Sequence, residues 1–156
     1  MIDDESQKFP RAIGNSKQRA RLLAALFVAQ EQFGWLSAEA IEHVSARLEL
    51  RPGQVRSTAS FYSMFKLEPQ GEFRIQVCEG LSCYLAGGAE PIIDHISNLL
   101  GVQPGETTPD GKFTLEVVQC IAACGSAPAL RVNDLLYEHM TRESIEDLIK
   151  RLKEGE

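Results

Sequence analysis

The stretch FRIQVCEGLSC, Phe73 to Cys83, marks a change of period in the chain. Phe73, Ile75 and Val77 alternate with Arg74 and Gln76, as in a strand with one buried face, and the run closes on a cysteine. Before it the apolar spacing is helical. Leu22, Leu23, Leu26, Phe27 and Phe33 fall on one side of a helix that begins near Asn15 and stops at Gly34. Ser37 is placed to cap a second helix, with Ile41, Val44 and Leu48 facing inward. Pro52 suits the first turn of a third helix, whose inner face is Val55, Ala59, Tyr62 and Phe65. The turn-rich Glu68-Pro69-Gln70-Gly71 separates the two patterns.

Beyond Cys83 helical spacing returns at Ile92, Ile93, Ile96, Leu99 and Leu100, with Gly101 as the stop. Pro91, tolerated only in a first turn, sets the start of this helix near Gly88. A turn at Asp110-Gly111 leads into a second strand, FTLEVVQC, Phe113 to Cys120. ALRVND and LLYEHM read as a hairpin around Asn133-Asp134. Thr141 can cap a last helix with Ile145, Leu148, Ile149 and Leu152 inward. The expected fold class is α/β (α+β). A polar mobile arm covers residues 1–14, a three-helix unit residues 15–70, and a β-α-β-β-β-α unit residues 71–156. That last order resembles a thioredoxin-like α/β sandwich.

Sixteen basic against twenty-two acidic residues give a net charge of −6, which argues against broad binding to a nucleic-acid backbone. No apolar run is long enough to span a membrane, so direct insertion is not expected. The first residues, MIDDESQKFPRAIGNSKQ, lack the apolar core of a secretory signal. The expected compartment is therefore reducing, and thiols there stay free, reactive or metal-bound. Neither G-x-G-x-x-G nor G-x-x-x-x-G-K-[ST] occurs, so hydride chemistry is not expected in this chain.

The chain has four cysteines in two pairs, Cys78 with Cys83 and Cys120 with Cys124. Each pair sits where a strand gives way to a loop. Neighbouring strands in a sheet lie about 5 Å apart, so the two loops can converge on one small object. A [2Fe–2S] cluster needs four thiolates, two per iron. The small residues Gly80, Ser82, Ala122, Ala123, Gly125, Ser126 and Ala127 would let backbone amides approach the sulfurs. Structural zinc also takes four thiolates, but favours two-residue gaps, whereas the gaps here are four and three. Two disulfides are the third reading, disfavoured by the missing export signal. A redox dithiol of the C-x-x-C kind is absent.

The pattern C-x4-C, then 36 residues, then C-x3-C resembles the thioredoxin-like [2Fe–2S] subunit of NADH:quinone oxidoreductase, respiratory complex I. Related subunits occur in NAD-reducing hydrogenases and NAD-dependent formate dehydrogenases. STASFYSMF (Ser57 to Phe65), PGETTPDGKFTLEVVQC (Pro104 to Cys120), APALRVND and the YLAGG stretch after Cys83 carry the likeness beyond the cysteines. The resemblance implies that Cys78 and Cys83 ligate one iron, and Cys120 and Cys124 the other. It implies an electron-transfer role, with the cluster exchanging single electrons with the FMN of an NADH-binding flavoprotein subunit. NADH and FMN would belong to that partner. Further peripheral-arm iron–sulfur subunits would complete the assembly, on the cytoplasmic face of the inner membrane. Such relatives commonly carry glycine within the second pair, C-L-G-x-C, where this chain has Ala122. If that position needs φ > 0, alanine is strained by roughly 1 kcal/mol.

Other residues have plainer readings. Tyr62 and Phe65 read as core with Phe61 at its edge, although with Met64 they could also line a partner surface. Tyr84 either shields the cluster or simply packs. His43, His95 and His139 lack a metal-binding spacing and read as surface or satisfied residues.

Overall fold

Why the chain changes period at Phe73 is visible in the computed structural model, which describes residues 16–155. The arm expected over residues 1–14 lies outside the described residues. The chain divides into two units between Pro69 and Gln70.

The first unit holds three helices, α1 (Ser16–Phe33), α2 (Ala38–Leu48) and α3 (Pro52–Phe61). Gly34 ends α1 at φ +77°, and its N–H donates to the Gln30 carbonyl at 2.7 Å. Ser37 caps α2, its hydroxyl accepting from the Ala40 N–H at 3.1 Å. Pro52 opens α3. The core gathers Leu22, Leu26, Ala29, Leu36, Ile41, Val44, Leu50, Val55, Ala59 and Phe65.

Two expectations need correction here. Of the apolar stripe on α1 only Leu22 and Leu26 are buried, while Leu23, Phe27 and Phe33 are 37%, 50% and 52% exposed. A helix covered by two neighbours buries a narrow stripe, here Leu22-Leu26-Ala29, and the flanking positions stay wet. Phe27 compensates by an edge contact on Phe65, ring centroids 5.0 Å apart. The third helix stops at Phe61 instead of reaching Phe65, because Tyr62 turns extended. Phe65 still reaches the core through a turn that Gln30 ties down. The Gln30 amide donates to the Met64 carbonyl at 3.0 Å and accepts from the Lys66 N–H at 2.6 Å.

In the second unit four strands form one sheet in the order β2-β1-β3-β4. They are β1 (Phe73–Cys78), β2 (Phe113–Val118), β3 (Leu130–Val132) and β4 (Leu135–Tyr137). β1 runs parallel to β2 and antiparallel to β3, which pairs antiparallel with β4. A short helix α4 (Leu81–Leu85) follows β1, then α5 (Ala89–Leu100) crosses over to β2, and α6 (Arg142–Glu154) ends the chain. Pro91 falls in the first turn of α5, and Gly101 ends that helix at φ +69°.

One sheet face is apolar. Ile75 and Val77 of β1, Phe113 and Leu115 of β2, and Leu130 and Val132 of β3 pack in a single core with Ile92 and Ile96 of α5 and Ile145, Leu148, Ile149 and Leu152 of α6. Glu116, Gln76 and Arg131 align across β2, β1 and β3 on the other face. Gln76 donates to Glu116 at 2.8 Å and accepts from Arg131 Nη2 at 2.6 Å. At the hairpin Asn133 takes φ +52°, and its side chain accepts from the Arg74 N–H at 2.9 Å. The second unit keeps the expected β-α-β-β-β-α order with the short helix α4 added after β1, and the described residues hold six α-helices and four strands in all.

The expected second strand is two residues too long. β2 ends at Val118, opposite Cys78, because β1 has no residue beyond Cys78 left to pair. Thr141 does cap α6, its hydroxyl accepting from the Ser144 N–H at 3.3 Å. Thr141→Ala is therefore expected to lower stability by about 1 kcal/mol, read as a lowered melting temperature.

Candidate metal centre

Cys78 is the last residue of β1, and Cys83 sits in the middle of α4. The sequence suggested a loop after Cys78. Instead Gly80 caps a helical turn, with the Tyr84 N–H donating to the Gly80 carbonyl at 2.9 Å. Cys78 and Cys83 are buried together with Ala129, and Ile121, Ala123 and Ala127 pack against them. Cys120 lies in the loop after β2, and Cys124 opens a 3₁₀ turn, Cys124–Ser126. Both are exposed, and all four thiols are free.

The loops meet because their strands are neighbours. The Glu79 N–H donates to the Val118 carbonyl at 2.9 Å, and Cys78 Sγ lies 3.9 Å from the Gln119 carbonyl oxygen. The Cys78 N–H donates to Ala129 at 3.4 Å, tying the far side of the second loop to β1. Gly80 comes so close that a Cβ there would lie 2.9 Å from the Gln119 oxygen. Burial pushes the Cys83 thiol above its ordinary range. A backbone hydrogen bond with Ala129 pulls it back, and Cys78 and Cys124 push it further up. Cys120 is held within its own loop, where the Ala122 N–H donates to its Sγ at 3.3 Å.

Ala122 has φ +61°, the left-handed region anticipated for a position where glycine is the easier residue. Ala122→Gly removes a cost of roughly 1 kcal/mol, which the greater freedom of glycine in the unfolded chain offsets by about half. The expected outcome is a small rise in melting temperature with the thiols still in place.

The donor set is four thiols in two pairs. Among the described residues no three or more His, Cys, Asp or Glu side chains are arranged to hold one metal ion. Two pairs of free thiols on adjoining loops suit a centre that takes two thiolates per iron. The small residues expected near the sulfurs do supply an amide, at Ala122. His43 and His139 are exposed, and His95 pairs with Glu146 at 3.1 Å. Tyr84 is 61% exposed and Phe61 80% exposed, so neither packs as core.

Contacts that local pattern did not indicate also shape the site. The Gln119 amide donates to Glu79, and the Ser126 hydroxyl donates to Glu138. Gly88 is buried against Pro128, and the Ala127–Pro128 peptide is cis. These contacts join positions far apart in the chain, for which periodicity gives no signal.

Residues 6–153 match the family described as thioredoxin-like [2Fe-2S] ferredoxin. NADH-quinone oxidoreductase subunit 2 of Thermus thermophilus is 40% identical over 139 residues, 88% of this chain and 76% of that protein. An NADH-quinone oxidoreductase subunit of Rickettsia felis is 41% identical over 150 residues, 96% of this chain and 87% of that one. Among solved structures, an NAD+-reducing [NiFe]-hydrogenase in its air-oxidized state superposes with a TM-score of 0.77 at 28% identity. The match covers 85% of this chain but only 23% of the hydrogenase chain. These relatives are subunits or parts of oxidoreductase complexes.

Proposed function

This chain belongs to the thioredoxin-like [2Fe–2S] ferredoxin family, and from that premise we propose that it is an electron-transfer subunit of an NADH:quinone oxidoreductase. Cys78 and Cys83 would hold one iron and Cys120 and Cys124 the other, within a domain spanning residues 71–156. Residues 15–70 would form the helical unit ahead of it. The observation that carries the reading is that the loops bearing the two free cysteine pairs adjoin, with Cys78 Sγ 3.9 Å from the carbonyl oxygen of Gln119, the residue before Cys120.

When bound, the cluster supplies one-electron oxidation and reduction. The chain's own residues set the conditions for it. Burial of Cys78 and Cys83 keeps water from that side, whereas Cys120 and Cys124 leave the other side open to a partner. The Ala122 N–H, already bonded to the Cys120 sulfur, withdraws charge from it and so favours added electrons. The proposed partner is a flavoprotein subunit that binds NADH and FMN, since neither G-x-G-x-x-G nor G-x-x-x-x-G-K-[ST] occurs in this chain. Further iron–sulfur subunits of the peripheral arm complete the proposed assembly, at the cytoplasmic face of the membrane. Among the described residues no helix is long and apolar enough to cross a membrane.

The likeness to a hydrogenase chain favours a second setting, the same subunit type in an NAD-reducing hydrogenase. Affinity purification of the native complex separates the two by the subunits recovered. Electron exchange is tested by adding NADH anaerobically and recording electron paramagnetic resonance. The isolated chain is expected to stay silent, and the complex with its flavoprotein to show a reduced [2Fe–2S] signal. A complex containing the flavoprotein whose signal never responds to NADH would contradict the role.

A further inference from the structure

Resting on that cluster reading, we propose that Glu79 and Gln119 are positioning residues that clasp the two cysteine loops and hold Cys120 in reach of the cluster. Glu79 directly follows Cys78, and Gln119 directly precedes Cys120. The Gln119 side-chain amide donates to the Glu79 carboxylate, between residues 40 apart in sequence. The β1–β2 ladder reaches its last pair at Cys78 and Val118, and the Glu79 N–H adds one more main-chain bond, to Val118. It cannot go further, because the chain leaves the sheet for α4 at Leu81. The clasp extends the pairing by one step, to Gln119, the residue before Cys120.

The two ends of the second loop differ in what holds them. At the Cys124 end the turn is anchored from the segment that follows β4: the Ser126 hydroxyl donates to Glu138, and the Ser126 carbonyl accepts from the His139 N–H at 2.9 Å. At the Cys120 end the side-chain anchor across to the first loop is the clasp. Removing it should loosen Cys120 and leave Cys124 in place. Glu79 has a second effect. Glu79 adjoins Cys78 in sequence, and a negative charge near the cluster disfavours an added electron.

Two substitutions separate these effects. Gln119→Leu removes the donor and keeps the charge. Glu79→Gln removes the charge and keeps an oxygen that can accept from Gln119. Both side chains are exposed, so folding is expected to survive, and circular dichroism checks it. Cluster loss is followed by visible absorbance under an iron chelator, and the potential by titration with electron paramagnetic resonance. Gln119→Leu is expected to lose the cluster about two- to tenfold faster than wild type, the range for one hydrogen bond. Glu79→Gln is expected to lose it at the wild-type rate but with a more positive potential. Wild-type loss rates in Gln119→Leu, or an equal acceleration in Glu79→Gln, would overturn the clasp. A wild-type chain without acid-labile sulfide would overturn the cluster reading, and the clasp with it.

Discussion

Cys120→Ala is expected to fold normally and to lose the cluster. Cys120 is exposed and outside the apolar cores, so its removal opens no cavity and should leave the apo protein's melting temperature nearly unchanged. On the proposed ligation its loss takes one of the two thiolates from one iron. Removing an outer-shell partner of a metal site typically costs roughly 10–100-fold in affinity, and removing a ligand costs more. Visible absorbance and bound iron should therefore fall to a small residue of the wild-type values. Cys83→Ala would be a poorer test, because Cys83 is buried and its loss disturbs packing as well as ligation. An unchanged visible spectrum in Cys120→Ala would count against the ligand assignment.

Gly88→Ala should strike the same site from behind. Gly88 has an ordinary negative φ, so its need for glycine is one of space. A Cβ there would lie 2.2 and 2.3 Å from the Cβ and Cγ of Pro128, and 3.2 Å from Ile92 Cδ1. Ile92 can adjust its side chain, but the proline ring is stiff. The corner between α4 and α5 would have to move away from the segment after Cys124. That corner is also bonded to the first pair, since the Gly88 N–H donates to the Cys83 carbonyl at 3.0 Å. Overpacking of this kind costs about 1–3 kcal/mol, occasionally more. For a domain of this size each kcal/mol lowers the melting temperature by about 4–8 °C. A clear drop in the melting temperature is expected, with reduced cluster loading. A melting temperature within about 2 °C of wild type would contradict the close packing, being less than the fall expected from even 1 kcal/mol.

The parts of this fold that periodicity announces are those governed by local rules. Ser37 and Thr141 cap helices because a hydroxyl before an apolar stripe satisfies the first free amides. Gly34 and Gly101 stop helices at positive φ. The change from Val55-Ala59 spacing to Phe73-Ile75-Val77 alternation marks where helices give way to the first strand. What periodicity misjudged depends on neighbours. Phe27 and Phe33 match an inward stripe in sequence, yet how wide a stripe is buried depends on the helices beside it. Strand β2 stops at Val118 because its partner strand stops, which nothing within FTLEVVQC reveals. At the site the cysteine types and gaps suggested the chemistry. The helix around Cys83, the Gly88–Pro128 contact and the Glu79–Gln119 bond arise from the meeting of distant segments. Ala122 lies between these cases. Its positive φ was anticipated from the glycine that similar chains carry there, a clue of resemblance and not of local pattern.

The most direct test of the account is to measure iron, acid-labile sulfide and zinc in protein purified without oxygen, and to record electron paramagnetic resonance after dithionite reduction. About two irons and two sulfides per chain, with an S = ½ signal on reduction, are the predicted result. About one zinc per chain, no sulfide and no signal would make the four cysteines a structural metal site and contradict the electron-transfer account.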